Sequence, residues 1–138
     1  MKLAYGELIG GVSGDMFVAA LLDLGLPLAK LKAELKKIPT LKFELRASKK
    51  LVHSIRATQF HVICPANDAP RSWQQIRELI TRSKLAAEVK DTSIEIFSQL
   101  AQAEAKIHGV AVDKVHFHEV GATDSIVDIV AAAIGVEE

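Results

Sequence analysis

Apolar residues recur at helical spacing along most of the chain. Their positions at every third or fourth residue predict helices over residues 16–24, 28–38, 73–82 and 86–108. Residues 126–136 are apolar nearly all round, which is typical of a helix that buries most of its surface. Such a helix is either the central helix of the domain or continues into a further region.

Alternating apolar and polar residues predict the strands. Residues 41–50 and 55–64 read as a hairpin that turns around residues 51–54. Residues 2–9 read as a short strand before the first helix, and residues 112–118 as a short strand or extended turn before the last. The order β-α-α-β-β-α-α-(β)-α predicts one α+β domain over residues 1–138, with helices packed against a small sheet.

The ends of the helices carry recognisable signals. Gly25 and Gly109 stand where glycine commonly terminates a helix, and Ser72 is a good N-cap. His108 in the last turn of its helix needs no functional explanation, because a cation is favourable there. The predicted apolar stripe of that helix consists of Val89, Ile96, Leu100, Ala103 and Ile107.

Charge and cysteine content exclude some functional classes. The 138 residues include 17 basic and 17 acidic side chains, so no excess of charge favours nucleic acid or an anionic membrane. No apolar run reaches the roughly 20 residues of a membrane span, and no signal peptide is expected. The single cysteine, Cys64, favours a reducing cytoplasmic location.

The densest chemistry lies just before and within the last helix. In an extended segment His116 and His118 project to one face, which suits a metal ion, and Glu119 follows them. Asp124 and Asp128 share one face of the next helix. Asp128 interrupts an apolar helix, so its carboxyl group needs a partner or a wet cavity.

Each of these residues also has a structural interpretation. The two histidines can fall together by chance, Glu119 can be solvated, and Asp124 can cap the helix. Together the residues favour a functional site. Imidazoles with carboxylates do not select among zinc, nickel, manganese and magnesium.

A glycine-rich loop precedes the first helix. Gly11, Ser13 and Gly14 between a predicted strand and a helix are typical of loops whose N–H groups bind an anion. The loop matches neither a P-loop nor a dinucleotide-binding fingerprint. Ser13 or Asp15 can instead cap the helix.

Two long segments resemble the LarC family of nickel-insertion proteins. Residues 115–130, with the run VHFHEVGA, resemble one signature of the family, and residues 11–25, beginning GVSGDMF, resemble another. Residues 103–109 also fit the segment ahead of the histidine motif. The resemblance extends from about Tyr5 to the last residue.

The resemblance implies a cyclometallase. Such proteins insert nickel into pyridinium-3,5-bisthiocarboxylic acid mononucleotide, in the synthesis of the cofactor of lactate racemase, with CTP and Mn or Mg. On this sequence it implies His116, His118, Glu119 and Asp128 as metal ligands. Asp15, Glu119 and Asp124 then have catalytic roles, and Gly11, Ser13 and Gly14 bind the mononucleotide or CTP.

The chain departs from the family at several points. Glu7 stands where the family commonly has aspartate, and Gly10 stands where it commonly has serine. Family members are longer, which implies a further C-terminal region with CTP binding and homo-oligomer formation. Two other functions remain open: a different metal-dependent hydrolase or phosphotransferase, and a non-catalytic metal-binding or docking module.

Overall fold

Five helices and one β-hairpin form the part of the chain that the structure, a computed structural model, describes: residues 3–138. In chain order the elements are α1 (Gly14–Asp23), α2 (Leu28–Leu35), β1 (Glu44–Val52), β2 (Ile55–Ile63), α3 (Trp73–Arg82), α4 (Ala87–His108), a 3₁₀ turn (Val112–Lys114) and α5 (Thr123–Glu137). This is the predicted α+β class, with helices packed against a small sheet.

Helix α5 is the central element. It packs against α1, α2, α4 and β2, and side chains such as Ile126, Val127 and Val130 are completely buried. The apolar sequence of residues 126–134 is therefore explained by packing among the described residues, as the first of the two alternatives predicts, whereas Val136 is 62% exposed. Because Asp124 and Asp128 lie on this helix, their carboxyl groups are held at the edge of the core.

The hairpin is antiparallel and tightly connected. Glu44 pairs with Ile63 and Val52 with Ile55, so residues 53 and 54 alone make the turn. Both have positive φ angles, 46° at His53 and 66° at Ser54, as a two-residue turn of type I′ requires. Leu45 and Phe60 anchor the hairpin in the core.

Helices α3 and α4 begin and end largely where the sequence predicts. Ser72 caps α3 in a complete capping box, accepting the Gln75 N–H at 3.3 Å while Gln75 Oε1 accepts the Ser72 N–H at 2.9 Å. Gly109 ends α4 in the left-handed conformation.

The predicted apolar stripe of α4 is correct at Val89, which is buried, and at Leu100, which packs against the core, but wrong at its other three positions. The buried residues follow a strict four-residue spacing: Val89, Ser93, Phe97, Ala101 and Ala105. Ile107 is 77% exposed, and Ile96 and Ala103 are also exposed. Ser93 explains the error, because its hydroxyl donates to the Val89 carbonyl at 2.7 Å and so tolerates burial on the inner face.

The predicted first strand is also wrong. Residues 3–8 are not in a strand, and residue 2 lies outside the described residues. A strand needs a hydrogen-bonding neighbour, and within residues 3–138 the strands β1 and β2 pair only with each other. Leu3, Tyr5 and Ile9 are 92%, 87% and 94% exposed, so this segment adds nothing to the core.

The segment before α5 is only partly extended. Residues 112–114 form a 3₁₀ turn where a strand was one of the two predictions, and His116 then makes an isolated antiparallel bridge with Ser72. The Trp73 N–H donates to the Val115 carbonyl at 3.1 Å. The segment is therefore held by the start of α3 and not by the hairpin.

Candidate functional site

Asp128 lies half-buried on α5 with an unusual environment. Its Oδ1 atom is inaccessible to solvent and has no hydrogen-bond partner among the residues that the structure describes. A buried carboxylate oxygen without a partner is costly, on the order of 1–3 kcal/mol, and such costs are commonly retained for function. This atom is the strongest single mark of a site in the chain.

Two further carboxylates surround Asp128. Burial, together with the negative charges of Asp15 and Asp124, raises the pKa of Asp128 to about 7. Asp124 comes from the first turn of α5 and Asp15 from the first turn of α1. The three side chains form an acidic cluster, defined here as Asp15, Asp124 and Asp128.

Gly14 allows α1 to approach this cluster closely. A Cβ atom at position 14 would lie 2.8 Å from Cβ of Asp128 and 3.1 Å from its Oδ2 atom. No side chain fits in that space, so the glycine places the N-terminus of α1 directly against Asp128. The glycine-rich loop therefore meets the carboxylates of α5.

The loop itself has only some features of an anion site. Ser13 occupies the N-cap position of α1, but its hydroxyl donates to the Asp15 carboxylate and does not cap the helix. The same carboxylate oxygen accepts the Met16 N–H at 2.9 Å. Gly11 has a φ of 82° and is exposed. The chain's own negative charge thus lies at the N-terminus of α1.

The N-terminus of α5 is fixed from the loop that follows β2. Asp68 accepts the Thr123 N–H at 2.6 Å through Oδ2 and the Thr123 hydroxyl at 2.8 Å through Oδ1. Arg71 Nη1 donates to the Thr123 hydroxyl at 3.1 Å and lies 3.5 Å from Asp68. Burial alone would raise the pKa of Asp68, but these hydrogen bonds and the charge of Arg71 outweigh it and lower the pKa. Asp68 thus caps α5 from a distant loop, and Asp124 also accepts the Ser125 N–H at 2.7 Å within the first turn.

Gly121 makes that connection possible. A Cβ atom at this position would lie 2.6 Å from the Arg71 carbonyl oxygen and 2.7 Å from its backbone nitrogen. The Arg71 N–H donates to the Gly121 carbonyl at 3.0 Å. The glycine between the histidine motif and α5 is thus explained by a close backbone contact.

Cys64 follows β2 and lies near the acidic cluster. Burial raises the pKa of its thiol, and the negative charges of Asp124 and Asp68 raise it further. The thiolate, which is the form that binds metals, is therefore disfavoured. Cys64 is not a strong candidate ligand in this arrangement.

The two histidines lie on one face, as their spacing predicts. Val115 and Phe117 point into the core, where Phe117 packs on Phe97 with ring centroids 6.1 Å apart. His116 and His118 are exposed and line one side of an open hollow of about 300 Å³. Packing of the alternate residues thus holds both imidazoles on the surface.

The structure does not gather all the predicted metal ligands. Within residues 3–138, no three His, Cys, Asp or Glu side chains lie close enough together to hold a metal ion. His116 and His118 belong to the hollow, Asp128 belongs to the acidic cluster, and Glu119 is exposed and belongs to neither. The metal set His116, His118, Glu119 and Asp128 stays a prediction.

Comparison with known proteins identifies the family. The sequence model described as nickel insertion protein matches residues 4–138.

The chain belongs to the nickel insertion protein family.

Relatives support this assignment over the whole sequence. One from Geobacillus kaustophilus, named pyridinium-3,5-bisthiocarboxylic acid mononucleotide nickel insertion protein, is 45% identical over 148 residues, covering 100% of this chain and 36% of the relative. One of the same name from Desulfitobacterium hafniense strain DCB-2 is 46% identical over 135 residues, covering 98% and 34%. The chain thus spans about a third of the length of these members of the family.

Two further findings concern solved structures and membrane spans. No solved structure matches the chain. Among the described residues, no helix of this nickel insertion family member is long and apolar enough to cross a membrane.

Sequence reasoning missed the residues that support the site. Asp68 and Arg71 lie in a loop, and nothing in their local pattern indicates that they fix a helix more than 50 residues further on. The run PANDAPR offers one usable signal, because α5 has no good N-cap of its own at Ala122. When the N-cap residue of a helix has no side-chain acceptor, a residue distant in sequence can accept the free N–H groups of the first turn.

Proposed function

We propose that this chain is the part of a nickel insertion protein that brings Ni²⁺ and pyridinium-3,5-bisthiocarboxylic acid mononucleotide together. The observation that carries the proposal is the partnerless Oδ1 atom of Asp128, beside Asp15 and Asp124 and against Gly14. The names of the relatives supply the substrate, and the acidic cluster supplies groups suited to it.

The resemblance to the family implies a nickel–carbon bond on the pyridinium ring and nickel–sulfur bonds to the thiocarboxylates. Forming the nickel–carbon bond releases a ring proton, which a nearby base has to accept. In the metal-free chain the Asp128 carboxyl group, with a pKa of about 7, is half ionised at neutral pH, and a nearby divalent cation favours its ionised, proton-accepting form. Asp128 takes the proton, while Asp15 and Asp124 attract the divalent ion to the same place.

The position of Asp15 adds a constraint on the phosphate of the substrate. The Asp15 carboxylate already accepts a backbone N–H at the start of α1, so a phosphate bound by Gly11, Ser13 and Gly14 meets a like charge. A divalent cation between the phosphate and Asp15 removes this repulsion. We therefore propose that metal and mononucleotide bind together at the acidic cluster, with His116, His118 and Glu119 supplying exchangeable ligands before the metal reaches it.

Other properties extend beyond this chain. CTP and Mn or Mg, a further C-terminal region and assembly as a homo-oligomer are proposals that follow from the resemblance and from the greater length of the relatives. A cytoplasmic location is proposed from the single cysteine.

A chimera tests the function. This chain replaces the matching N-terminal part of the Geobacillus kaustophilus relative, and nickel incorporation into the mononucleotide is followed by mass spectrometry. The chimera should insert nickel, Asp128→Asn should lower the rate at least about a hundredfold, and Asp91→Asn on the exposed face of α4 should not. A chimera that binds Ni²⁺ but instead releases phosphate from generic esters would support a hydrolase or phosphotransferase and overturn the proposal.

A further inference from the structure

His108, at the end of α4, lies beside the predicted metal residues. Its ring centroid is 5.9 Å from that of His118, with an angle of 60° between the ring planes. Both rings line the same hollow as His116, together with Val110, Lys114 and Val115. The position of His108 in the last turn of a helix gave no indication of this neighbour.

The separation of the two rings is compatible with one shared metal ion. An imidazole nitrogen binds a divalent first-row metal at about 2.1 Å, which places the metal about 3.2 Å from the ring centroid. Two imidazoles on one metal therefore have centroids roughly 4.5–6.5 Å apart, depending on the angle at the metal. The observed 5.9 Å lies within this range.

Glu104 lies beside the ring of His108. Its Oε2 atom lies 3.1 Å from Nε2 of His108, one helical turn away on α4. A carboxylate that binds one ring nitrogen of a histidine fixes the ring and makes the other nitrogen a better metal ligand. A contact of Glu104 with Nε2 leaves Nδ1 of His108 available to a metal ion, with Glu104 as the positioning residue.

We propose that His108 and His118 form a nickel-entry site, with His116 at its edge, from which the metal passes to the mononucleotide. The inference rests on the proposed function and adds to it a binding site and two residues, His108 and Glu104.

The composition of the hollow suits transfer better than storage. Two imidazoles leave most coordination positions of nickel to water, and the hollow is open, so the metal exchanges readily. Lys114 also lines the hollow, and its positive charge keeps the affinity moderate. A carrier that has to give up its metal requires weak and incomplete coordination of this kind.

Titration of the full chain with Ni²⁺ alone tests the site. Calorimetry should show affinity reduced at least about tenfold in His108→Ala and in His118→Ala, and about tenfold in Glu104→Gln. The control His61→Ala removes an exposed imidazole from β2 and should leave the affinity unchanged. Circular dichroism confirms that each variant folds, which the 51% exposure of the His108 side chain favours.

Nuclear magnetic resonance identifies the ligands directly. Paramagnetic Ni²⁺ should broaden the imidazole signals of His108 and His118 first and those of His53 and His61 last. Broadening that spares His108, or an unchanged affinity in His108→Ala, overturns the entry site.

The chimera separates the two proposals. His108→Ala in the chimera should slow insertion at limiting Ni²⁺ and approach the unsubstituted rate at saturating Ni²⁺. If the chimera inserts nickel and His108→Ala has no effect at any nickel concentration, the entry site is wrong and the proposed function stands. If the chimera inserts no nickel while His108→Ala still weakens Ni²⁺ binding, the proposed function fails and the metal site remains.

Discussion

Asp128 destabilises the fold, but its raised pKa suits it to accept a proton. Its pKa is about 7 in the folded chain, against an ordinary value of 3.8, because burial and two neighbouring carboxylates disfavour its charge. As pH rises from about 4 to about 7, the unfolded chain loses this proton and the folded chain keeps it. The carboxyl group therefore lowers the free energy of unfolding over this interval, and its effect is complete above about pH 7.

Replacing Asp128 by asparagine should remove this dependence. Without metal, we expect Asp128→Asn to be more stable than the unsubstituted chain at pH 7.5 by on the order of 2 kcal/mol, with the difference shrinking toward pH 4. Urea unfolding at several pH values measures this difference in the free energy of unfolding. Asp91→Asn on α4 is the control, and a difference between Asp128→Asn and the original chain that does not vary with pH would contradict the assignment.

Some of the site could be predicted from single residues and some could not. A lone aspartate in an apolar helix indicates Asp128, because burial of a charge needs a reason. The neighbours that raise its pKa are distant in sequence, and Asp68, which fixes the helix, lies in an ordinary loop. His108 had a sufficient local explanation, so its proximity to His118 needed the fold.

At the scale of elements, helix ends and the hairpin were predictable because their signals are local. Ser72, Gly109 and the alternation around residues 53–54 each act within a few residues. The prediction of a first strand was wrong because a strand needs a neighbouring strand to pair with, and the local sequence pattern does not show whether one is present. The buried face of α4 was predicted incorrectly in part because Ser93 is polar in sequence but is buried, with its hydroxyl bonded to its own helix.

The cap of α5 by Asp68 should stabilise the fold measurably. Asp68→Ala removes two hydrogen bonds and leaves the buried Thr123 hydroxyl with fewer partners, so we expect a loss of about 2 kcal/mol in the free energy of unfolding. Asp68→Asn keeps an acceptor and should cost less. Glu78→Ala breaks an exposed ion pair on α3 and should change stability by less than about 0.5 kcal/mol. Equal losses in the three variants would exclude a specific cap.

The contact between α1 and α5 should depend on Gly14. Gly14→Ala places a methyl group 2.8 Å from Cβ of Asp128, so we expect the helices to separate and stability to fall by roughly 1–3 kcal/mol. Gly10→Ala meets nothing within 4 Å and should be nearly neutral. Thermal unfolding compares the two, and a stabilised Gly14→Ala variant, as helix propensity alone would give, would show that the contact is looser than described.

At the scale of the whole molecule, carboxylates and imidazoles occupy two separate places. The acidic cluster lies where α1 meets α5, and the histidine hollow lies between the end of α4 and the segment before α5. Within residues 3–138, neither gathers three ligands for a metal ion. In the functions proposed above, the metal enters at the hollow and the proton is removed at the acidic cluster, and the substrate or a further region completes the coordination of the metal.

The 138-residue chain alone should therefore bind Ni²⁺ without completing insertion. The relatives named for insertion into the mononucleotide are nearly three times as long, since this chain covers 34–36% of them. We expect the isolated chain to take up Ni²⁺ weakly and to leave the mononucleotide unmodified by mass spectrometry. Adding the remaining part of the Geobacillus kaustophilus relative as a separate chain should produce nickel-containing product, and His108→Ala with Asp128→Asn should prevent it. Turnover by the 138-residue chain without that addition would show that the whole reaction centre lies within these residues.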